Sequence, residues 1–421
     1  MPTNPWTDDL LDQMRMVADD PADRAVSALF ATRGTREWGA INGLLDFLVD
    51  NAQAPPPDLP PELTAYLQDT ASLPPPELRE ASAGEACFAE FGPEILMLLG
   101  CFSLPAAYAA AKGVQVLCRT EFLERATRLR LLQTAQMIVD VMAPGGLGPG
   151  GTGIRAAQKV RLLHAAIRHL ILTDARPWNT SELGKPINQE DLAGTMLTFS
   201  CVILDGLAKF DIEVPPRQAE AYFQAWCAVG RLMGIHDVLI PPDLASGRVL
   251  MKTIQRRQIA ASPEGQRLTA DLRASMGTGL HAAAAAASGA NGSLSERLRQ
   301  DLSRVLAEVE SVVIDPLLTS TVTVLMRHCF ADETDAHGNG VADLLAIPPA
   351  PTWLAHLVDV TMWVVGHLVD DVASTRHRRR ILRWINMRLV EGMLSRELGP
   401  GRALFRVPAH LHDQWKHAST S

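Results

Sequence analysis

Three polar side chains share one stripe of a segment that is mostly apolar and could be buried. In RLLHAAIRHL, residues 161–170, Arg161, His164 and Arg168 occupy positions i, i+3 and i+7. At about 100° per residue, these positions fall on one stripe of a helix. Because an unpaired buried charge is very costly, we expect a polar, anionic group to lie against this stripe.

The residue types indicate which group could lie there. Two cations beside an imidazole disfavour its protonated form and lower its pKa, and the neutral imidazole is the form that binds a metal. Two guanidiniums match two carboxylates, since each pair can form two parallel hydrogen bonds. Haem combines one metal and two carboxylates on a flat apolar body, and its iron is commonly held by a histidine. The alternative is that His164 is a buried structural histidine.

The composition excludes several other functions. The chain of 421 residues is 47% hydrophobic and 20% charged, a balance typical of a soluble globular protein. Its net charge of −8 argues against a general nucleic-acid binder, which needs an excess of Lys and Arg. The six cysteines are widely spaced, and the sequence contains no CxxCH, CxxC or HExxH. We therefore expect free buried thiols in a reducing compartment, no covalently attached c-type haem and none of the common zinc sites.

The sequence predicts a cytoplasmic protein without a stable membrane span. The first residues, MPTNPWTDDLLDQM, are acidic and do not have the basic and then apolar pattern of an export signal. Residues 353–372 come closest to a membrane span, but His356, Asp359 and His367 interrupt them. A buried helix is the favoured interpretation of that segment.

The pattern of the chain predicts an all-α fold. Alternating β-branched runs are scarce, and helical periodicity predicts helices at 92–111, 119–142, 155–173, 189–209 and 217–234. Proline clusters at 54–62 and 73–78 separate an N-terminal helical arm with proline-rich connectors, residues 1–80, from the main domain, residues 81–421. That domain divides into a motif-bearing core, residues 85–245, and C-terminal helices, residues 246–421. Asn188 can cap the helix at 189, and Ser293 with Glu296 can form a capping box.

Three other motifs have simpler explanations. GLGPGG at 146–151 matches GxGxxG, but a helical pattern precedes it where a dinucleotide site needs a strand, so a helix–helix connection is favoured. DAHGNG at 335–340 would place Ala346 where a calcium loop needs a glutamate, which favours a polar turn. RHRRR at 376–380 is typical of a solvated helix face, with an anionic partner as the alternative.

Five motifs occur together in one order: FGPEILMLLGCFSLPAAYAAAKGVQVL (91–117), RLLQTAQMIVDVM (130–142), KVRLLHAAIRHLIL (159–172), GKPINQEDLAGTMLTFS (184–200) and AYFQAWCAVGRLMGI (221–235). This set resembles the haem-dependent oxygenase family of latex clearing protein and the mycophenolic acid prenyl-chain-cleaving oxygenase. The resemblance covers residues 85–245 well and the C-terminal helices loosely. It implies a globin-like helical core, with additional helices around a buried haem b.

The resemblance also assigns candidate residues. His164 matches the proximal ligand of the haem iron, and Arg161 and Arg168 match the arginines beside it. These arginines would pair with the haem propionates or with carboxylates that position the haem. Arg130 and Thr134 match the family's RxxxT pair near the distal side, and Gln133 stands where rubber-cleaving members carry a lysine. The alternative for the pair is a surface arginine and a threonine that bonds its own backbone. The acids of PINQED are interpreted as structural.

Two departures bear on the reaction. The family's distal glutamate has no equivalent near Val114 and Gln115, which leaves hydroxylation open beside cleavage. The chain shows no export signal, so rubber is not the expected substrate. The predicted function is oxygenation, with dioxygen, of a lipophilic, unsaturated or isoprenoid small molecule, either by cleavage of a C=C bond to carbonyl products or by hydroxylation. A haem-binding sensor or carrier without turnover is the main alternative. A helical partner-binding protein with inherited but empty motifs is the other.

Overall fold

The computed structural model describes residues 4–33, 59–120, 124–288 and 315–349, together with residues 54 and 57. Within these ranges the chain is helical, and the only bridges are two isolated ones, between Ala110 and Ile259 and between Thr334 and Gly340. The predicted all-α class is confirmed. The described α-helices are α1 (Asp8–Arg15), α2 (Asp20–Arg33), α3 (Pro61–Asp69), α4 (Pro75–Leu98), α5 (Leu104–Tyr108), α6 (Val114–Thr120), α7 (Glu124–Met142), α8 (Gly153–Thr173), α9 (Thr180–Leu183), α10 (Gln189–Phe199), α11 (Cys201–Lys209), α12 (Pro216–Leu232), α13 (Leu244–Gln258), α14 (Pro263–Ser288), α15 (Asp315–Cys329) and α16 (Val341–Leu344).

Local chemistry explains where many of these helices begin. Helices α3, α4 and α12 each have a proline in their first turn, where the missing N–H costs nothing. Asn188 caps α10 as predicted, and its side-chain oxygen accepts a hydrogen bond from the backbone N–H of Asp191 at 3.0 Å. Asp243 caps α13 in the same way. The first turns that orient the site are therefore fixed by short-range contacts.

Two predicted helices differ from the structure in their continuity. The predicted helix 189–209 is two helices, α10 and α11, which meet at Ser200. The predicted helix 92–111 is the end of the longer α4, then a π-helical turn at Leu99–Ser103, then α5. A five-residue π-turn inserts extra backbone into a helix and redirects the segment that follows.

The described residues pack around two clusters of buried side chains. The larger cluster joins α4 to the helices of the main body. The smaller one joins the arm helices α2 and α3 to the back of α8, through Val26, Leu29, Leu63 and Leu67 on the arm and through Leu162, Ala165, Ala166 and Leu170 on α8. The arm is thus packed directly on the helix that carries His164. The predicted boundary at residue 80 lies inside helix α4.

Several sequence features have a clear structural outcome. The glycine-rich loop 146–151 follows helix α7, as a helix–helix connection does. The six cysteines are free. Asp335 accepts hydrogen bonds from the backbone N–H groups of His337 and Asn339, at 2.9 and 2.8 Å, in a polar turn. The capping box at Ser293, the segment 353–372 and the basic run 376–380 lie outside the described residues.

Two described helical stretches, 75–108 and 189–209, are long and apolar enough to cross a membrane. In the 18 most apolar consecutive residues of the two stretches, 72% and 67% respectively are buried inside the fold. Core helices meet the same length and composition test, so these stretches are weak support for a membrane span. The predicted cytoplasmic location stays a prediction.

Candidate functional site: an apolar cavity beside His164

A cavity of about 370 Å³ lies between helices α5, α6, α7, α8, α10, α12 and α13. Most of its lining side chains are aliphatic or aromatic. Its size falls within the range of sites that hold small molecules and cofactors. Polar side chains reach it mainly from two directions, from α7 and α8 on one side and from α10 and α13 on the other.

His164 faces this cavity from α8, together with Val160, Leu163 and Ile167. These residues recur at helical spacing, which places one face of α8 along the cavity wall. Burial and, to a smaller extent, the Arg168 charge lower the pKa of His164, Asp19 acts in the opposite direction, and the net result is a pKa of about 4. The imidazole is therefore neutral at pH 7, which is the state that binds a metal ion.

Arg161 does not face the cavity but turns towards the N-terminal arm. Its Nε and Nη2 donate to the two carboxylate oxygens of Asp19, at 2.5 and 2.8 Å. Its Nη1 donates to the backbone carbonyl of Leu232 at 3.1 Å. The guanidinium also lies over the ring of Tyr66, 5.5 Å from its centroid. This is a buried bidentate ion pair between α8 and the residue that precedes α2.

Arg168 also turns away from the cavity. It forms an ion pair with Asp23 of α2 and donates to the backbone carbonyls of Pro186 and Ile187, at 2.9 and 3.0 Å. Both arginines are at least nine-tenths buried. The sequence leaves open whether these arginines pair with haem propionates or with protein carboxylates. The structure places a protein carboxylate against each arginine.

Arg130, Gln133 and Thr134 of α7 all line the cavity. The hydroxyl of Thr134 donates to the backbone carbonyl of Arg130 at 2.8 Å. That bond is the one expected if Thr134 bonds its own backbone, yet the residue also reaches the cavity wall. The three residues predicted for the distal side are thus brought to the same cavity as His164.

The sequence interpretation missed two acids at this cavity. Glu190 and Asp191 were interpreted as structural, and both line the cavity wall. Glu190 is completely buried, and Arg15 and Arg257 both pair with it, at 3.2 and 2.8 Å. Burial raises the pKa of Asp191, although Arg15 lies 3.0 Å from it. Two adjacent acids at the start of an apolar helix are a sequence signal for a polar group in the core. The partner could not be predicted, because Arg15 lies 175 residues away from Glu190.

The donor set fits haem iron better than a metal held by protein ligands alone. Among the described residues there is no group of three or more His, Cys, Asp or Glu that could hold a metal ion. Haem brings most of the iron's ligands with it, so a single histidine of the protein would be enough to hold it. A single neutral imidazole on the wall of an apolar cavity meets that need.

A family profile covers about three quarters of the chain. Residues 86–399 match the profile described as "ER-bound oxygenase mpaB/B'/Rubber oxygenase, catalytic domain". The chain belongs to this family. The matched range contains every candidate site residue on α7 and α8, whereas the arm with Asp19 and Asp23 precedes it.

One similar protein within the mpaB and rubber oxygenase family is the rubber oxygenase of Streptomyces sp. (strain K30). It is 26% identical over 267 residues, which are 60% of this chain and 62% of that protein. The match therefore spans less than two thirds of the relative's length. A solved structure of latex clearing protein LCP in the closed state superposes with a TM-score of 0.64 over 90% of both chains, at 20% identity. That likeness supports the fold.

Proposed function

We propose that this chain is a b-type haem-dependent oxygenase that uses dioxygen on a lipophilic small molecule. The observation that carries the proposal is the position of His164, a neutral imidazole on the wall of an apolar cavity. Membership of an oxygenase family supports the type of reaction. The apolar lining supports the class of substrate, because such a wall favours a lipophilic molecule over a charged one.

Each part of the site has a task in this proposal. His164 would hold the iron from α8, and burial keeps its imidazole neutral, so that one ring nitrogen is free to bind a metal. The aliphatic walls from α5, α8 and α12 exclude water and bind the apolar body of the substrate. When bound, haem supplies the iron chemistry by which dioxygen reacts with a carbon–carbon double bond.

Arg130, Gln133 and Thr134 supply the polar groups on the α7 side. Thr134 has only one hydroxyl proton, and the carbonyl of Arg130 accepts it. Thr134 therefore offers its oxygen as an acceptor, whereas Arg130 and Gln133 supply N–H donors. Donors held at a fixed place stabilise negative charge as it develops in a reaction, so we assign this task to Arg130 and Gln133.

The substrate class follows from cavity and family together. We propose an unsaturated or isoprenoid molecule, cleaved at a double bond to two carbonyl products. The apolar lining of the cavity suits a lipophilic small molecule or a single chain end bound beside the haem. Hydroxylation of the same molecule is the second possible outcome, and product analysis separates the two.

The first experiment is the visible absorption spectrum of the full chain expressed with haem available. We compare wild type with His164→Ala and use His169→Ala as the control. His169 lies on the same helix but outside the cavity. Its ring packs against that of Phe30, with the two ring centroids 4.7 Å apart. A Soret band in wild type and in His169→Ala, lost or shifted in His164→Ala, is the expected result.

Oxygen uptake with unsaturated lipids and prenylated compounds then tests turnover. Consumption that depends on one of these substrates, with carbonyl or hydroxylated products, supports the oxygenase. Tight haem binding without oxygen consumption would instead indicate a sensor or carrier. A colourless wild type that ignores added haem would exclude both functions.

A further inference from the structure

Two buried ion pairs join the N-terminal arm to the helix of His164. Asp19 lies directly before α2 and is only 4% exposed, and Asp23 lies in the first turn of α2. Their partners, Arg161 and Arg168, stand three residues before and four residues after His164 on α8. Both aspartates precede the range that matches the family profile, residues 86–399.

The two arginines connect α8 to three neighbours. Arg161 binds Asp19 with two hydrogen bonds and the last residue of α12, Leu232, with a third. Arg168 binds Asp23 and the two carbonyls that precede α10. Because these contacts flank His164 on both sides along the axis, they fix the rotation of α8 and hence the direction of its imidazole.

The aspartates also balance charge near the imidazole. Arg161 and Arg168 place two permanent positive charges within one helical turn of His164. Each of them has a carboxylate of the arm against it. Removal of one carboxylate leaves a buried guanidinium beside the site without its counter-charge.

We propose that Asp19 and Asp23 are positioning residues of the haem site. They hold Arg161 and Arg168 in place, fix the helix that carries His164 and neutralise the charge beside it. This inference rests on the proposed function and extends it, because it makes residues 4–33 of the arm a part of the site. The arm then has a task in the holoprotein beyond packing.

The test compares full-length haem-loaded variants that lose one negative charge from the arm. Asp19→Asn keeps the shape of the side chain and removes its charge. Asp20→Asn is the matched control, because Asp20 is the neighbouring residue and is exposed. The readouts are the rate of haem transfer to an excess of apomyoglobin and the reduction potential of the bound haem. Circular dichroism checks that each variant is folded.

The expected result has two parts. Haem leaves Asp19→Asn about 10- to 100-fold faster than wild type, the usual effect of losing a residue that orients a metal ligand. The reduction potential becomes more positive, because the unbalanced Arg161 charge favours the reduced iron. In the double variant Asp19→Asn with Arg161→Gln, the potential returns towards wild type while haem is still released fast. Asp20→Asn matches wild type in both readouts.

Several outcomes would overturn the inference. A folded Asp19→Asn that matches Asp20→Asn in both readouts removes Asp19 from the site. An unchanged potential together with faster release also contradicts it, since a loss of packing alone explains the release. If Asp19→Asn does not fold, Asp23→Asn takes its place, because the Asp23 side chain is 31% exposed. A wild type that takes up no haem would overturn the proposed function itself, which distinguishes the two failures.

Discussion

The two sides of helix α8 make opposite use of polar residues. On the cavity side, α8 presents the apolar residues Val160, Leu163 and Ile167 and one polar residue, His164, which is neutral. On the arm side, Arg161 and Arg168 are charged, and each is paired with an aspartate. The same helix thus carries its charges on the side where the arm supplies a carboxylate to each, and it presents a neutral imidazole on the cavity side.

This difference shows why the polar stripe is compatible with burial. Charge is tolerated in a protein interior when a partner satisfies it, and the arm supplies both partners. The cavity side needs no counter-charge, because desolvation keeps the imidazole neutral. The arm therefore supplies the counter-charges that the polar stripe needs, and the following predictions test how much stability each side of α8 contributes.

The largest effect is expected from breaking the Arg161–Asp19 pair. Arg161→Met leaves Asp19 buried without its partner, and the loss of one member of a buried pair costs about 3–5 kcal/mol of unfolding free energy. Chemical denaturation of the haem-free protein measures this cost.

The control for that experiment is Arg176→Met. Arg176 pairs with Asp174 at 2.8 Å, but its side chain is 52% exposed. Exposed pairs contribute about 0–1 kcal/mol. Equal losses in the two variants would contradict the view that the arm pair is a buried, tightly coupled contact.

The second prediction compares apolar residues on the two sides. Leu170→Ala and Ile167→Ala remove the same number of carbons, and Leu170 is 4% exposed within the arm cluster. Its loss leaves a new void and costs about 2–5 kcal/mol. Ile167 already borders the cavity, so we expect a cost below about 2 kcal/mol, since fewer packing contacts are lost there.

Thermal unfolding of the haem-free variants ranks the two costs. In the haem-loaded protein, we expect Ile167→Ala to change the Soret band more than Leu170→Ala does, because Ile167→Ala changes the cavity wall directly. If Ile167→Ala destabilises the haem-free protein as much as Leu170→Ala does, the two sides of α8 are packed alike and the comparison fails.

A third prediction concerns the glycine that lies against Arg161. Gly234 has φ +80°, and a Cβ there would lie 2.7 Å from the guanidinium of Arg161. An arginine end can normally move aside, but three hydrogen bonds hold this one. Gly234→Ala is expected to cost about 1–3 kcal/mol, from backbone strain together with displacement of the guanidinium.

Gly145→Ala provides the matched control. Gly145 has φ +75°, and a Cβ there would meet nothing within 4 Å. Its cost should be limited to the backbone strain of about 1 kcal/mol. Differential scanning calorimetry compares the two variants, and an equal cost would mean that Arg161 is free to move.

The sequence predicted the parts of this site that depend on local spacing. Helical periodicity predicted α8 as 155–173, against Gly153–Thr173 in the structure, and it predicted the stripe of Arg161, His164 and Arg168. The cap at Asn188 followed from residue type alone. These features need only residues within one or two turns of each other.

The partners across the fold could not be predicted. Asp19 is 142 residues away from Arg161, and no periodicity connects the two. The division of 189–209 into two helices falls at Ser200, which has φ −111° and ψ −78° and whose hydroxyl donates to the carbonyl of Met196 at 2.9 Å. A serine inside an apolar run can make that bond or point elsewhere, and the tertiary structure decides which.

The smallest effect is expected from Glu85, a buried carboxylate that is paired with no arginine among the described residues. One of its oxygens accepts from the backbone N–H of Gly145 at 2.9 Å, and the other has no partner in the part of the chain that the structure describes. Burial raises its pKa, and the bond from Gly145 only partly opposes this. A carboxyl whose pKa is raised on folding stabilises the fold below its unfolded pKa, and that contribution is lost as the pH rises through the raised value.

Glu85→Gln separates this carboxylate from the paired ones. Glutamine can still accept from Gly145, but it carries no charge at any pH. At pH 4 the variant should match wild type, and at pH 7 it should be more stable, because the wild-type carboxylate is then charged in a buried place. Urea unfolding at the two pH values measures the difference. A variant that is less stable than wild type at pH 7 would show that Glu85 has a cationic partner after all, and that the arm pairs do not differ from it in kind.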